Sequence, residues 1–120
     1  MADTKGQPDN RLSITRTTVD GVTVLTVGGE IDHDTAPQLH DALIDSGSVI
    51  APRIVLELSA VTFMDSSGIN TLVKAHRAAD RVQGWIRLAA LTEPVLRVIE
   101  LVGVDLIITC YPTLPEALNG

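Results

Sequence analysis

The quartet Asp65-Ser66-Ser67-Gly68 is where residue type and spacing in this 120-residue chain could carry chemistry: a carboxylate, two adjacent hydroxyls and a glycine. Before it, Ile54-Val55-Leu56-Glu57-Leu58 is an almost unbroken apolar run, the pattern of a buried strand. After it, Ile69, Leu72, Val73, Ala79 and Val82 recur at the offsets of an amphipathic helix. The quartet therefore stands in a strand-to-helix loop, where Asp and Ser oxygens accept hydrogen bonds from the unpaired N–H groups of a helix start. Helix capping by itself accounts for one such side chain. With three on offer, at least one hydroxyl is expected to be free, solvent-facing and open to modification, and Gly68 would let a partner backbone or a phosphate come close.

A second polar segment, Glu30-Ile31-Asp32-His33-Asp34-Thr35, follows Gly28-Gly29. Its acids together with Asp65 could offer oxygen ligands to magnesium, as in a receiver-like phosphoaspartate module. Such a module also needs a lysine after one of the last strands, and the nearest candidate, Lys74, falls inside a helical pattern. A serine hydrolase needs a histidine base, and only His33 lies in a loop, since His40 and His76 fall within helices. Ser66 also lacks a glycine two residues before it, and no glycine-rich phosphate loop is present. No catalytic residue, metal or cofactor is expected. His76 reads as a helix-boundary histidine with one edge in water, and Cys110 as a small core residue.

Composition narrows the partners. The chain is 45% hydrophobic but holds one Phe, one Tyr and one Trp, so the core must be aliphatic and an aromatic platform for single-stranded nucleic acid is excluded. Fifteen acidic against nine basic residues give a net charge of −6, the wrong sign for neutralising nucleic-acid or membrane phosphates. Cys110 is alone, which removes an intrachain disulfide and suits a reducing cytoplasm. Residues 1–10 are polar, with neither the apolar core of a signal peptide nor a basic amphipathic pattern, and are expected to be a disordered tail. No apolar run approaches the roughly 20 residues that cross a bilayer. One soluble, cytoplasmic domain over residues 11–118 is expected.

The elements that must position these residues follow from pattern. Leu12 to Arg16 and Val22 to Val27 alternate with period two around Asp20-Gly21, a tight-turn pair, so the fold should open with an antiparallel hairpin. Thr35 and Gln38 have the spacing of a capping box for a first helix with stripe Ala36, Leu39, Ala42 and Leu43, closed near Ser46-Gly47. Ser48 to Pro52 then leads to the central strand. After Gly84, Trp85 to Ala90 reads as a strand, and a third helix from Thr92 carries Val95, Val98, Ile99 and Val102 inward and ends at Gly103. Leu106-Ile107-Ile108 reads as the last strand, and Thr113 with Glu116 caps a short helix over Leu114 to Leu118. The fold class is α/β: a mixed, mainly parallel sheet opened by a hairpin, with three main helices and a short C-terminal one. Ligands of such sheets gather at the carboxyl ends of the strands, so parallel neighbours two and three would bring Asp32 and Asp34 near Ser66.

Phe63-Met64-Asp65-Ser66-Ser67-Gly68-Ile69 is similar to the phosphorylation motif of bacterial anti-sigma factor antagonists, stand-alone members of the STAS domain family. Gly29 to Ala36 resembles that family's segment after the second strand, and the likeness runs over residues 11–118. The resemblance implies a protein switch with no chemistry of its own. The unmodified antagonist would bind an anti-sigma factor that is also a serine kinase, freeing a sigma factor for transcription. Phosphorylation of the first serine, here Ser66, would inactivate it, and a metal-dependent serine phosphatase would restore it. Ser67 would remain as the helix cap. The expected partner surface joins Asp32, His33, Asp34 and Thr35 to Asp65, Ser66, Ser67 and Gly68. Ile69-Asn70 departs from the Leu-Gly common in the family and bears on partner choice. The alternatives are a STAS adaptor or scaffold without sigma-factor control and the receiver-like module.

Overall fold

The computed structural model describes residues 11–46 and 51–120, so the expected tail, the Gly47 helix stop and most of the connector to Pro52 lie outside the described residues. Strands β1 (Leu12–Val19) and β2 (Val22–Ile31) form an antiparallel hairpin. Its turn is made by Asp20 and Gly21 with φ of 50° and 82°, the positive values for which Asp-Gly is selected. Helix α1 (Ala36–Ser46), strand β3 (Arg53–Met64), helix α2 (Ser66–Arg81), strand β4 (Trp85–Ala89) and helix α3 (Glu93–Leu101) follow in the expected order. Strand β5 (Cys110–Tyr111) and helix α4 (Leu114–Asn119) complete the chain.

The five strands lie in sequence order, and every pairing after the hairpin is parallel. Period-two alternation divides β3 between two cores. Ile54, Leu56 and Leu58 face the leucines of α1 and α2 and Val95 and Ile99 of α3, whereas Val55 faces Ala117 of α4 on the other side. The Thr113–Glu116 capping box forms, with the Thr113 hydroxyl accepting from the Glu116 N–H at 3.3 Å.

Strand β2 runs four residues past the end of its alternation, and against it β3 carries one extra residue between Glu57 and Ala60 and another between Val61 and Phe63. Gly29 has φ of 111°, and a Cβ there would overlap the Arg11 carbonyl, so only glycine fits. The last strand is misplaced by the sequence pattern. Val104–Leu106 is a 3-10 turn, Leu106 is 84% exposed, and the strand is Cys110–Tyr111. A run of three apolar residues carries no period, and here only Ile108 points into the core. Val82 and Val102, assigned to inward stripes, follow the last turns of their helices and are mostly exposed. Gly103, with φ of 80°, closes α3 as expected. Cys110 is half-buried against the core; burial first, then Asp105 and Glu100, push its thiol pKa up to about 11. It therefore stays protonated at neutral pH.

Candidate functional site

Ile31 pairs with Met64 at the end of the parallel ladder, so the chain leaves β2 and β3 at the same level. The Asp65 N–H donates to the Ile31 carbonyl at 3.1 Å, extending the ladder into the loops. The segment Asp32 to Thr35 and the start of α2 therefore lie side by side, as their position at strand ends requires.

Asp65, not Ser67, caps α2. Its backbone is extended, and its Oδ1 accepts the N–H of Ser67 at 2.8 Å and of Gly68 at 3.4 Å. Both serines are consequently inside the first turn, and the sequence expectation that Ser67 is the cap is corrected. The carboxylate wins because it satisfies two N–H groups and adds negative charge at the positive end of the helix dipole. Ser66 is exposed, and its hydroxyl makes no hydrogen bond to the described residues. Ser67 is half-buried beside His33 in a shallow cleft of about 350 Å³ between α1 and α2. Gly68 faces inward. A Cβ there would meet Met64 Cγ at 2.7 Å and Ile31 Cγ2 at 2.8 Å, so the room it provides is filled by the protein's own core rather than left for a visitor.

The neighbouring loop is tied to itself. Asp32 Oδ1 accepts the N–H of Asp34 at 3.0 Å and of Thr35 at 3.1 Å, and the Asp32 carbonyl accepts the Ala36 N–H at 2.8 Å. The Thr35 hydroxyl donates to the Glu30 carbonyl at 2.7 Å and accepts the Asp32 N–H at 2.9 Å. Thr35 is fully buried, so it positions the loop and presents no surface. Its capping box with Gln38 does not form, because the Gln38 amide instead donates across to the Leu12 carbonyl at 3.2 Å. His33 and Asp34 project into solvent.

Arg11 was not singled out by the sequence, yet it anchors this loop. Its guanidinium reaches Asp32 at 2.8 Å, Asp34 at 3.3 Å and Glu30 at 3.9 Å. A lone arginine at the edge of a polar tail carries no spacing signal, and only the hairpin brings it over the acids. Partial desolvation acts to raise the Asp32 pKa. The N–H groups of Thr35 and Asp34, Arg11 and the Thr35 hydroxyl outweigh it, and the pKa lies below the ordinary 3.8. The acids are thus engaged with the chain itself, and among the described residues no group of three or more His, Cys, Asp or Glu could hold a metal ion. Phe63 is 47% exposed beside this loop, with Glu30 as its cross-strand partner. His76 is half-buried, and its Nδ1 is buried without a partner among the described residues.

The profile of the STAS domain matches residues 13–117. The chain belongs to the STAS domain family. Its sequence is 37% identical over 115 residues to anti-sigma-F factor antagonist RsfB of Mycobacterium tuberculosis, covering 90% of this chain and 89% of that one. The crystal structure of an anti-sigma factor antagonist from Mycobacterium paratuberculosis superposes with a TM-score of 0.78 at 34% identity, over 90% of this chain and 92% of that one. The Bacillus cell fate determinant SpoIIAA in its phosphorylated form shares the fold, with a TM-score of 0.67 at 22% identity over 89% and 97% of the two chains. No helix among the described residues of the STAS domain is long and apolar enough to cross a membrane.

Proposed function

We propose that this STAS domain is an anti-sigma factor antagonist, switched off by phosphorylation of Ser66. The observation that carries the reading is the placement of Ser66: first residue of α2, exposed, its hydroxyl unengaged, with Asp65 already serving as the cap. Modifying Ser66 removes no hydrogen bond of the fold. A phosphoryl group adds about −1.5 to −2 charges and three acceptor oxygens, and the positive end of the helix dipole tolerates them. The surface it joins already carries Asp65, Asp32 and Asp34, the latter two only partly offset by Arg11. Added charge and bulk there oppose docking while leaving folding intact.

In this reading the partner is an anti-sigma factor that is also the serine kinase, and a serine phosphatase acting on phospho-Ser66 resets the switch in the cytoplasm. His33 and Asp34 offer exposed side chains to that partner, with Asp32, Asp65 and Ser67 half-buried behind them. Thr35 and Gly68, both buried, contribute by holding the two loops together. A hundredfold loss of affinity, about 3 kcal/mol, is enough to switch such a complex, and one charge desolvated at an interface costs that much.

The test pairs Ser66→Ala and Ser66→Asp with the candidate anti-sigma factors of the host, with and without ATP. Ser66→Ala should bind and remain unmodified, wild type should gain one phosphate at Ser66 by peptide mass spectrometry, and Ser66→Asp should fold yet not bind. Equal binding of both variants, or a serine pair never modified, would point instead to an adaptor in which the quartet is only a helix start.

A further inference from the structure

The cleft at Ser67 does not end there. It is lined by His33, Ser67, His40 and Lys74 among others, and a second cavity of about 330 Å³ shares His40 and Lys74 with it and lies beside it between α1 and α2. Beyond those two residues the wall becomes apolar, with Leu43 and Ile44 from α1 facing Ala75 and Ala78 from α2, and Val82 at the far end. The two cavities adjoin at His40 and Lys74, and together they mark an α1–α2 groove that is polar on the Ser67 side and apolar on the other. Ile44 is 60% and Val82 52% exposed, large apolar side chains left at the rim.

Charge selects the occupant. In a chain of net charge −6, the described residues lining this groove include Lys74, His40 and His33 and no carboxylate. An apolar trough with the Lys74 ammonium and the His40 imidazole at its middle fits a peptide segment with apolar side chains at one end and carboxylates at the other. We propose that the α1–α2 groove takes such an acidic, amphipathic segment of the anti-sigma factor. This rests on the antagonist reading and deepens it. An acidic segment held by Lys74 and His40 ends next to the serine pair, so a phosphate on Ser66 repels the partner's own carboxylates as well as crowding the loop. The apolar end supplies affinity, and the charged middle makes that affinity sensitive to the phosphate.

The experiment measures affinity for the anti-sigma factor that binds Ser66→Ala, using Lys74→Glu, Ile44→Asp and, as a control on the hairpin, Arg16→Glu. All three positions are exposed, and circular dichroism checks each fold. Lys74→Glu and Ile44→Asp should each weaken binding about tenfold or more, as like charge or a buried carboxylate at an interface does, with Arg16→Glu unchanged. Binding of wild type should also weaken with added salt, and that of Lys74→Glu should depend on salt less. If both groove variants bind like wild type while Ser66→Asp does not bind, the groove proposal is overturned and the antagonist reading stands. If no anti-sigma factor binds the wild type, both fall. A shift in sedimentation showing that Lys74→Glu disrupts a self-association would assign the groove to a second copy and overturn the proposal.

Discussion

Replacing Asp65 tests whether one carboxylate, and neither serine, organises the start of α2. Oδ1 accepts one short bond, from Ser67 at 2.8 Å, and one long bond, from Gly68 at 3.4 Å. The short bond has the geometry of a good cap, for which loss to alanine costs about 1 kcal/mol. The charge at the helix start adds about 0.3–1 kcal/mol. Asp65→Ala should therefore lose about 1–2 kcal/mol, and Asp65→Asn, which keeps an acceptor, only the charge part. Ser67→Ala should change stability by less than about 0.5 kcal/mol, because alanine is the better residue in a first turn already capped. Urea unfolding reads all three as midpoint shifts at constant slope; at a slope of about 1–3 kcal/mol per molar, Asp65→Ala moves the midpoint by roughly 0.3–2 M. The reasoning is refuted if Ser67→Ala carries the loss, or if the asparagine variant is as damaged as the alanine one.

Two further outcomes follow from the neighbouring contacts. The Asp32 pKa is lowered in the fold, so its contribution to stability is present above the ordinary aspartate value of 3.8 and is lost as pH falls through the lowered native value. The stability gap between wild type and Asp32→Asn, measured by urea unfolding across the acid limb, should thus narrow on acidification; a widening gap would contradict the assigned contacts. Gly68→Ala gains about 1 kcal/mol of helix propensity but drives a Cβ against Met64 and the stiff, buried Ile31, at about 1–3 kcal/mol for overpacking. The variant should be neutral to about 2 kcal/mol less stable by urea unfolding, and a stabilised variant would show that those side chains yield freely.

Strand and helix identity was legible wherever periodicity was sustained. Alternation gave the hairpin, an unbroken apolar run gave β3, and offsets of three and four gave α2 and α3, because burial on one face forces those patterns on any chain. The order of these elements, with hydroxyls and acids after β2 and β3, was enough to place the two polar loops on one edge of a parallel sheet. That the quartet offers more oxygens than a helix cap uses, leaving a hydroxyl exposed, was also readable from local sequence. Which residue caps was not. Asp65, Ser66 and Ser67 are all competent, and the choice falls on the residue whose backbone leaves the strand extended while its carboxylate reaches back over two N–H groups. Thr35 turned from surface to linchpin for a similar reason, since only the fold brings the Glu30 carbonyl over its hydroxyl. Leu106-Ile107-Ile108 was too short for its period to show, and just one of the three points inward. Arg11 and the α1–α2 groove depend on residues far apart in the chain meeting in space. Sequence by itself determined most of the elements and put a surplus hydroxyl at a helix start, because those follow from local pattern; the tertiary structure alone decided which residue caps, which side chains hold the loops and which face solvent, because that depends on contacts between elements.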